Sequence, residues 1–433
     1  MVLVYCQQIT VRLRYTFDLI LDKILHAEYE LTEDQNEFRN HPGARISYGT
    51  QPVSDELFFY SDHLLFEKGI EDQQISVFEW EGNKAFFATH PKYIFPFDPF
   101  AASFYLVSRY EEYLPHIRDA HDRYTTTESL AYQKNFLQKP LINIWAKKIK
   151  EVIQQRYPQE AFGNTEYKYI STIDIDNAYA YLEKGLMRTI GAIMRSLVHL
   201  DFEGIIERTR VMLGLLHDPY DTFDYQLSLH QQKKIKCIYF LLLGEYGEND
   251  KNVPTDSKRF QSLIKSLADY SEVGIHPSYG SNKNQKRLKR ELNLLSKILK
   301  REVTKSRQHF LKLRLPGTYR KLIDLDIKDD YTMGFASVIG FRASICTPFN
   351  FYDLDLEQST SLIIHPFAVM DATLRYYMKI PAAEAMNHIR PLIDEVRAVN
   401  GTFISLWHNE TMSENKTWKG WLKVYEEMVD YAR

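Results

Sequence analysis

"YISTIDIDNAYAY", residues 169–181, is the stretch on which the fold turns. A β-branched, apolar run leads into Thr172, and two aspartates follow it, Asp174 and Asp176, one residue apart. At the end of a buried strand, mutual repulsion and desolvation both raise the cost of ionising two carboxylates. A cation between them answers both penalties. On an extended strand the side-chain period of two aims both acids to one face. One can then bind the ion while the other stays free beside it to take a proton from water.

Around this stretch, strand and helix signals alternate. "KCIYFLLLG", 236–244, is a near-continuous apolar run closed by Gly, as expected of a strand covered on both faces. "EVGIH", "SLIIHPFAVMD" and "GTFISLWHNE" read as further strands. Residues 185–230 read as mostly helical, and "FQSLIKSLADY" as a short amphipathic helix. "KRLKRELNLLSKILKREV" places Leu288, Leu292, Leu295 and Leu299 at helical spacing with a basic, solvated opposite face. The pattern predicts an α/β domain over 165–433, a parallel sheet or distorted (β/α) barrel wrapped by helices. Such folds carry their chemistry at the carboxyl ends of the strands.

Residues 1–160 read as a separate, smaller unit, expected to be α+β. Within it "FDPFAASFYLVSRYEEYL" has Asp98 as N-cap, Pro99 at the first helical position, and Phe100, Phe104 and Val107 on one face. "RYPQEAFGN", 156–164, carries Pro, Gly and Asn without apolar periodicity and marks the boundary. A chain of 433 residues is long for one core, which agrees with two domains.

Composition narrows the class. With 44% hydrophobic and 26% charged residues the chain is globular rather than disordered. A net charge of −3, from 54 basic and 57 acidic residues, gives no global pull toward nucleic acid. Cys6, Cys237 and Cys346 are far apart, which argues against a disulfide framework and a thiolate zinc site. The opening residues lack the pattern of a secretory leader, and no run approaches the length of a membrane span. The expected location is the cytoplasm.

Several predicted strands end in groups suited to metal or acid–base chemistry. Asp174 and Asp176 close the first, His276 closes "EVGIH", His408 closes "GTFISLWH", and "SRQHFL" offers Arg307 and His309 between them. A carboxylate with two imidazoles makes an open-faced site for zinc or a similar divalent ion, which lowers the pKa of bound water.

These residues resemble those of the polysaccharide deacetylases, carbohydrate esterase family four, over roughly 165–433. That family pairs two aspartates after a threonine-bearing strand, as Thr172-Ile173-Asp174-Ile175-Asp176 does here. The resemblance implies a distorted β/α barrel with one divalent ion, Asp174 as general base and Asp176 as a metal ligand. The family's second motif is His, Ser or Thr, then His four places after the first. Here "HPSYG" supplies His276 as ligand and Ser278, but Gly280 stands in the second histidine's slot. His309 is our inferred replacement.

Arg307 and Arg342, the latter in "GFRASICTPF" after "DYTMGF", are the two candidates for the arginine that pairs with the base. "SLWHN" matches the closing motif, so the resemblance makes His408 the general acid. Tyr279 and Trp407 are candidates to stack on a sugar ring. "FDPFAASFYLVSRYEEY" and "HDPYDTFDY", 217–225, are similar to a bacterial subgroup with an extra, uncharacterised N-terminal domain.

The implied activity is metal-dependent hydrolysis of an N-acetyl group, or an O-acetyl group, on an amino-sugar glycan or its precursor, with one divalent ion, zinc foremost. Two alternatives stand beside it. One is a non-catalytic saccharide-binding relative, favoured by Gly280. The other is a different hydrolase on a related barrel, such as a glycosidase, which has no need of the histidines.

Overall fold

The computed structural model describes residues 1–433 and is a mixed α/β structure dominated by parallel strands. The chain opens with β1 (Val2–Cys6), β2 (Tyr29–Thr32), β3 (Ala44–Gly49) and β4 (Leu57–Tyr60). They form one sheet in the order β2-β1-β3-β4, and every pairing in it is parallel. The α+β expectation for this part is therefore corrected. Helical segments Val11–Phe17 and Asp18–Ile24 carry the chain from β1 to β2, and Gln35–Asn40 carries it from β2 to β3. Parallel neighbours need crossovers of this kind, whereas a tight hairpin joins antiparallel ones. A small antiparallel hairpin, β5 (Phe78–Trp80) with β6 (Asn83–Ala85), lies beyond.

Asp98 caps the helix Pro99–Val107, accepting from the backbone N–H of Phe100 at 2.9 Å and of Ala101 at 3.0 Å. All nine residues of that helix are buried, so it runs through the interior rather than along a surface.

The larger sheet begins with β7 (Lys168–Ile175), β8 (Lys236–Leu242) and β9 (Glu272–His276). It continues with the short β10 (Lys305–Ser306) and β11 (Asp329–Asp330), then β12 (Phe349–Asp353), β13 (Gln358–Ile364), β14 (Val369–Met370) and β15 (Thr402–His408). The order is β12-β13-β11-β10-β9-β8-β7-β15-β14. β12 alone is antiparallel to its neighbour. The other pairings are parallel, so the carboxyl ends of eight strands face one way. No ladder pairing joins β12 to β14.

Helices cover this sheet as the apolar spacing requires. Gln285–Leu299 buries Leu288, Leu292, Leu295 and Ile298 and turns Lys286, Lys289, Arg290 and Lys297 outward. One apolar cluster runs from Val2 to Ala432, so the N-terminal part and the larger sheet share a continuous core.

A buried charge cluster stands where the two parts meet. Arg342 donates Nε and Nη2 to the Glu112 carboxylate at 2.9 and 2.6 Å, and Arg109 donates Nε to it at 2.8 Å. Burial would raise the Glu112 pKa, but Arg342 and Arg109 outweigh it and hold the group down at about 2. Breaking a buried pair of this kind strands the remaining charge at a cost of about 3–5 kcal/mol.

Candidate functional site

The site lies at the carboxyl ends of the central strands. β7 delivers Asp174 as its penultimate residue and Asp176 just past its end. Its neighbours set the rest by register. His408 pairs with Asp174 across β15 and β7, and His276 pairs with Leu242 across β9 and β8. His309 follows β10 by three residues. These five side chains line one cavity of about 230 Å³.

Asp176, His276 and His309 each offer one ligand atom, and the three atoms lie within 4.8 Å of one another. His276 Nε2 is 3.1 Å from Asp176 Oδ1, and His309 Nε2 is 3.3 Å from Asp176 Oδ2. The far side of each ring decides what these contacts mean. His276 Nδ1 meets the Arg307 carbonyl oxygen at 2.6 Å, and His309 Nδ1 meets Asp250 Oδ1 at 2.9 Å. Both partners only accept, so each Nδ1 carries the proton. In a neutral ring Nε2 then holds a lone pair, and two such lone pairs face a carboxylate. Asp176 Oδ1 is also buried with no hydrogen-bond partner.

Three electron-rich groups aimed at one point are what a divalent cation needs, and backing of metal-ligating histidines by a carboxylate or carbonyl is the usual support. The donor set fits the ion. Without one, protons take its place. Burial opposes a charge on His309, but Asp176 and Asp250 outweigh it and lift the pKa to about 9. Against the same burial penalty, His309 and His276 hold Asp176 well below the usual carboxylate range.

Arg307 settles which arginine meets the base candidate. It is fully buried and donates Nη1 to Asp174 Oδ1 at 3.0 Å and to Thr172 Oγ1 at 2.7 Å, while its Nε donates to the Tyr331 carbonyl at 2.9 Å. Its guanidinium also lies 4.7 Å from the Phe240 ring centroid. Arg342 is elsewhere, bound to Glu112 as described, and its candidacy as the partner of Asp174 is corrected. On the opposite side, His408 Nδ1 is 2.8 Å from Asp371 Oδ1, and its backbone N–H donates to Asp371 Oδ2 at 2.8 Å. Burial works against charge on His408, but Asp371 and the two cavity aspartates lift its pKa to about 10.

Two expected sugar-stacking residues fall outside the cavity. Trp407 is 0% exposed and packs on Tyr425 at 5.4 Å and Trp421 at 6.4 Å. It alternates with His408 and Leu406, which do line the cavity, and it points into the helical layer behind the sheet. Tyr279 is half-buried and is not a lining residue; its ring meets Phe310, which is, edge-on at 5.3 Å. The aromatic walls are instead Phe310, Tyr376, Tyr377 and Trp418. Gly280, in the slot of the missing histidine, faces the Arg287 guanidinium, 2.7 Å from where a Cβ would stand.

Asp250, Asp371 and Glu410 are site residues that the sequence reading missed. Asp250 sits on the connection after β8, where a lone acid has no pattern around it, whereas Asp371 closes the "SLIIHPFAVMD" segment and opens the helical turn after β14, a strand-end acid passed over. Glu410 lines the cavity two residues beyond His408, and burial raises its carboxyl pKa to about 7. "HDPYD" also has a visible role. Asp218 accepts from the backbone N–H groups of Ala180, Tyr181 and Leu182 at 2.7–3.0 Å, bracing the loop that leaves Asp176.

In comparison with known proteins, residues 2–158 match a family of unknown function. Among curated proteins none matches the chain. Similar solved structures include a Mycobacterium smegmatis protein assigned as a polysaccharide deacetylase. It shares 14% identity over 62% of this chain and 84% of that one, with a TM-score of 0.41. A Bacillus cereus polysaccharide deacetylase shares 12% over 62% and 88%, with a TM-score of 0.30. A carbohydrate esterase family four pseudoenzyme from Bacillus anthracis shares 10% over 60% and 62%, with a TM-score of 0.27. These likenesses are distant, and the functional reading below rests on the residues of the chain itself.

Proposed function

We propose that the chain is a metal-dependent hydrolase that removes acetyl groups from an amino-sugar glycan or glycan precursor. Its catalytic part would be residues 165–433, a distorted barrel left open between β12 and β14. The observation that carries this reading is the convergence of Asp176, His276 and His309 within 4.8 Å, with Asp174 and His408 on the same cavity. Asp176, His276 and His309 would hold one divalent ion, zinc foremost. Such an ion polarises an acyl carbonyl and acidifies water.

The chain's own groups divide the remaining work. Asp174 takes a proton from the attacking water, and Arg307, donating to its Oδ1 at 3.0 Å, keeps that carboxylate aimed. His408 donates its Nε2 proton to the leaving nitrogen, so that an amine departs rather than an amide anion. Asp371 accepts from Nδ1 and thereby fixes the ring's orientation. Water and the N-acetyl group yield acetate and a free amine. Phe310, Tyr376, Tyr377 and Trp418 give the cavity apolar walls against which a sugar ring can lie.

The test is Asp174→Asn, assayed by acetate release from N-acetylated oligosaccharides alongside metal content. The variant should keep its metal and lose nearly all turnover, since a positioned base contributes about 10²–10⁴-fold. Full turnover in that variant would remove Asp174 from the mechanism.

A further inference from the structure

Of the 25 large apolar side chains exposed on this chain, 13 fall between residues 186 and 216. They belong to a helical hairpin, Leu186–Val198 and Phe202–Met212, whose turn passes through Leu200 at φ +55°. In the first helix, Leu186, Met187, Ile190, Met194, Leu197 and Val198 occupy one stripe about 120° wide at the helical period. That stripe faces water: Met187 is 82% exposed and Val198 77%. Leu200, Phe202 and Ile206 continue it around the turn. The largest apolar patch on an ordinary monomer covers about 300–600 Å², and a larger one marks an interaction surface.

The charges bordering the stripe have one dominant sign. Leu186–Val198 carries Arg188 and Arg195 and no acid. In the second helix, Glu203 is an exposed acid set against Arg208 and Arg210, while the N-cap Asp201 is ion-paired with Lys416 at 3.5 Å and Glu207 accepts from Tyr181 and Asn415. Arg195 and Arg210 are exposed and turn no hydrogen bond or ion pair back onto the protein. A two-fold contact that paired the first helix with its own copy would set Arg195 against surface of the same sign, because that helix carries no acid.

The hairpin is also tied to the segment that supplies one wall of the site. The hairpin follows Asp176 by ten residues, and Asp201 and Glu207 tie it to Lys416 and Asn415. Trp418, two residues on from Lys416, lines the cavity and packs on the exposed Tyr376 at 5.1 Å. No helix of the structure is long and apolar enough to cross a membrane. An amphipathic helix with arginines beside a broad apolar stripe lies in a bilayer interface rather than across it.

We propose that residues 186–216 form an interfacial docking hairpin that lays its apolar face into an anionic lipid surface and holds the cavity mouth against it. A second consequence rests on the deacetylase reading: the substrate is then a glycan carried on a membrane lipid.

The test is flotation of the full chain with vesicles of phosphatidylcholine, with and without phosphatidylglycerol. Wild type should float with the anionic vesicles and less with the neutral ones. Met194→Glu combined with Leu197→Glu should lower the bound fraction about tenfold or more, since two apolar anchors are lost. Its circular dichroism and divalent-ion binding should match wild type. Arg195→Glu with Arg210→Glu should abolish the preference for anionic lipid.

Wild type that stays with neither vesicle, or a Met194→Glu/Leu197→Glu variant that floats unchanged, overturns the proposal. So does a wild-type dimer that this variant makes monomeric while no form binds lipid. Acetate release from N-acetylated glycans, both soluble and lipid-linked, reads the other hypothesis separately. Release without flotation sinks the docking alone, and flotation without release sinks the deacetylase reading alone.

Discussion

Replacing Arg307 with Met removes a guanidinium whose Nη1 stands 3.0 Å from Asp174 Oδ1, both side chains being at most 2% exposed. The variant keeps an unbranched chain of similar length, so the loss is chiefly of charge and hydrogen bonds. Removing one partner of a buried ion pair costs about 3–5 kcal/mol, because the other charge stays behind without compensation. Two further acceptors lose their donor, Thr172 Oγ1 at 2.7 Å and the Tyr331 carbonyl at 2.9 Å.

A four-way cycle separates these contributions. Asp174→Asn removes the stranded charge but leaves the other two contacts untouched, so the double variant should recover about 2 kcal/mol relative to the sum of the single changes. Urea unfolding of the four metal-free proteins measures this directly. If the two changes are additive within about 0.5 kcal/mol, Arg307 and Asp174 do not act as a pair. Arg307 would then not be the group that holds the base.

Asp371→Asn leaves the size of the group behind His408 unchanged but removes its charge. Turnover should drop by about 10²-fold or more with little change in KM, measured by steady-state acetate release; an unchanged kcat would sever His408 from proton delivery. His230, far from the cavity, tests the fold's pH response. Its Nε2 lies 2.6 Å from Tyr425 Oη, and burial lowers its pKa from the usual 6.5 to about 4. Below pH 6.5 the unfolded chain binds a proton that the native one refuses, so this contribution is complete above 6.5 and lost as pH falls toward 4. The decline is about 1.4 kcal/mol per pH unit. His230→Gln should flatten that slope in unfolding experiments across the window; an identical slope would remove His230 as its source.

How far the sequence carries the reading depends on where each residue sits. The strands that end in Asp174, His276 and His408 are apolar runs long enough to be recognised, and a parallel sheet brings such ends together whatever the loops between them do. That is why residues 234 positions apart could be placed in one cavity before any coordinates. Asp250 was not visible because it stands singly on an irregular connection, and its meaning, like that of Asp371 at the end of the "SLIIHPFAVMD" segment, comes only from the imidazole it meets in space. The two arginines were indistinguishable for the same reason: Arg307 follows a two-residue strand beside β9, whereas Arg342 turns toward Glu112 of the N-terminal part.

Trp407 shows a different limit. Its position beside His408 suggested the cavity, yet alternation along β15 sends it to the opposite face, which helices cover. The N-terminal strands are four to six residues long, joined by helical segments except between β3 and β4, where a short loop serves, too little pattern to distinguish a parallel sheet from a segregated one. The hairpin at 186–216 was legible as helix, but its exposed face was not, because an apolar stripe ordinarily points inward.

The central claim is that Asp176, His276 and His309 hold one divalent ion, and calorimetric titration of metal-free protein with zinc tests it most directly. The account predicts one ion per chain in wild type and in Asp174→Asn, and loss of that binding in Asp176→Asn and His276→Ala. It also predicts at least about tenfold weaker binding in His309→Ala. Wild-type protein that takes up no ion, or an Asp176→Asn variant that binds as wild type does, would contradict it.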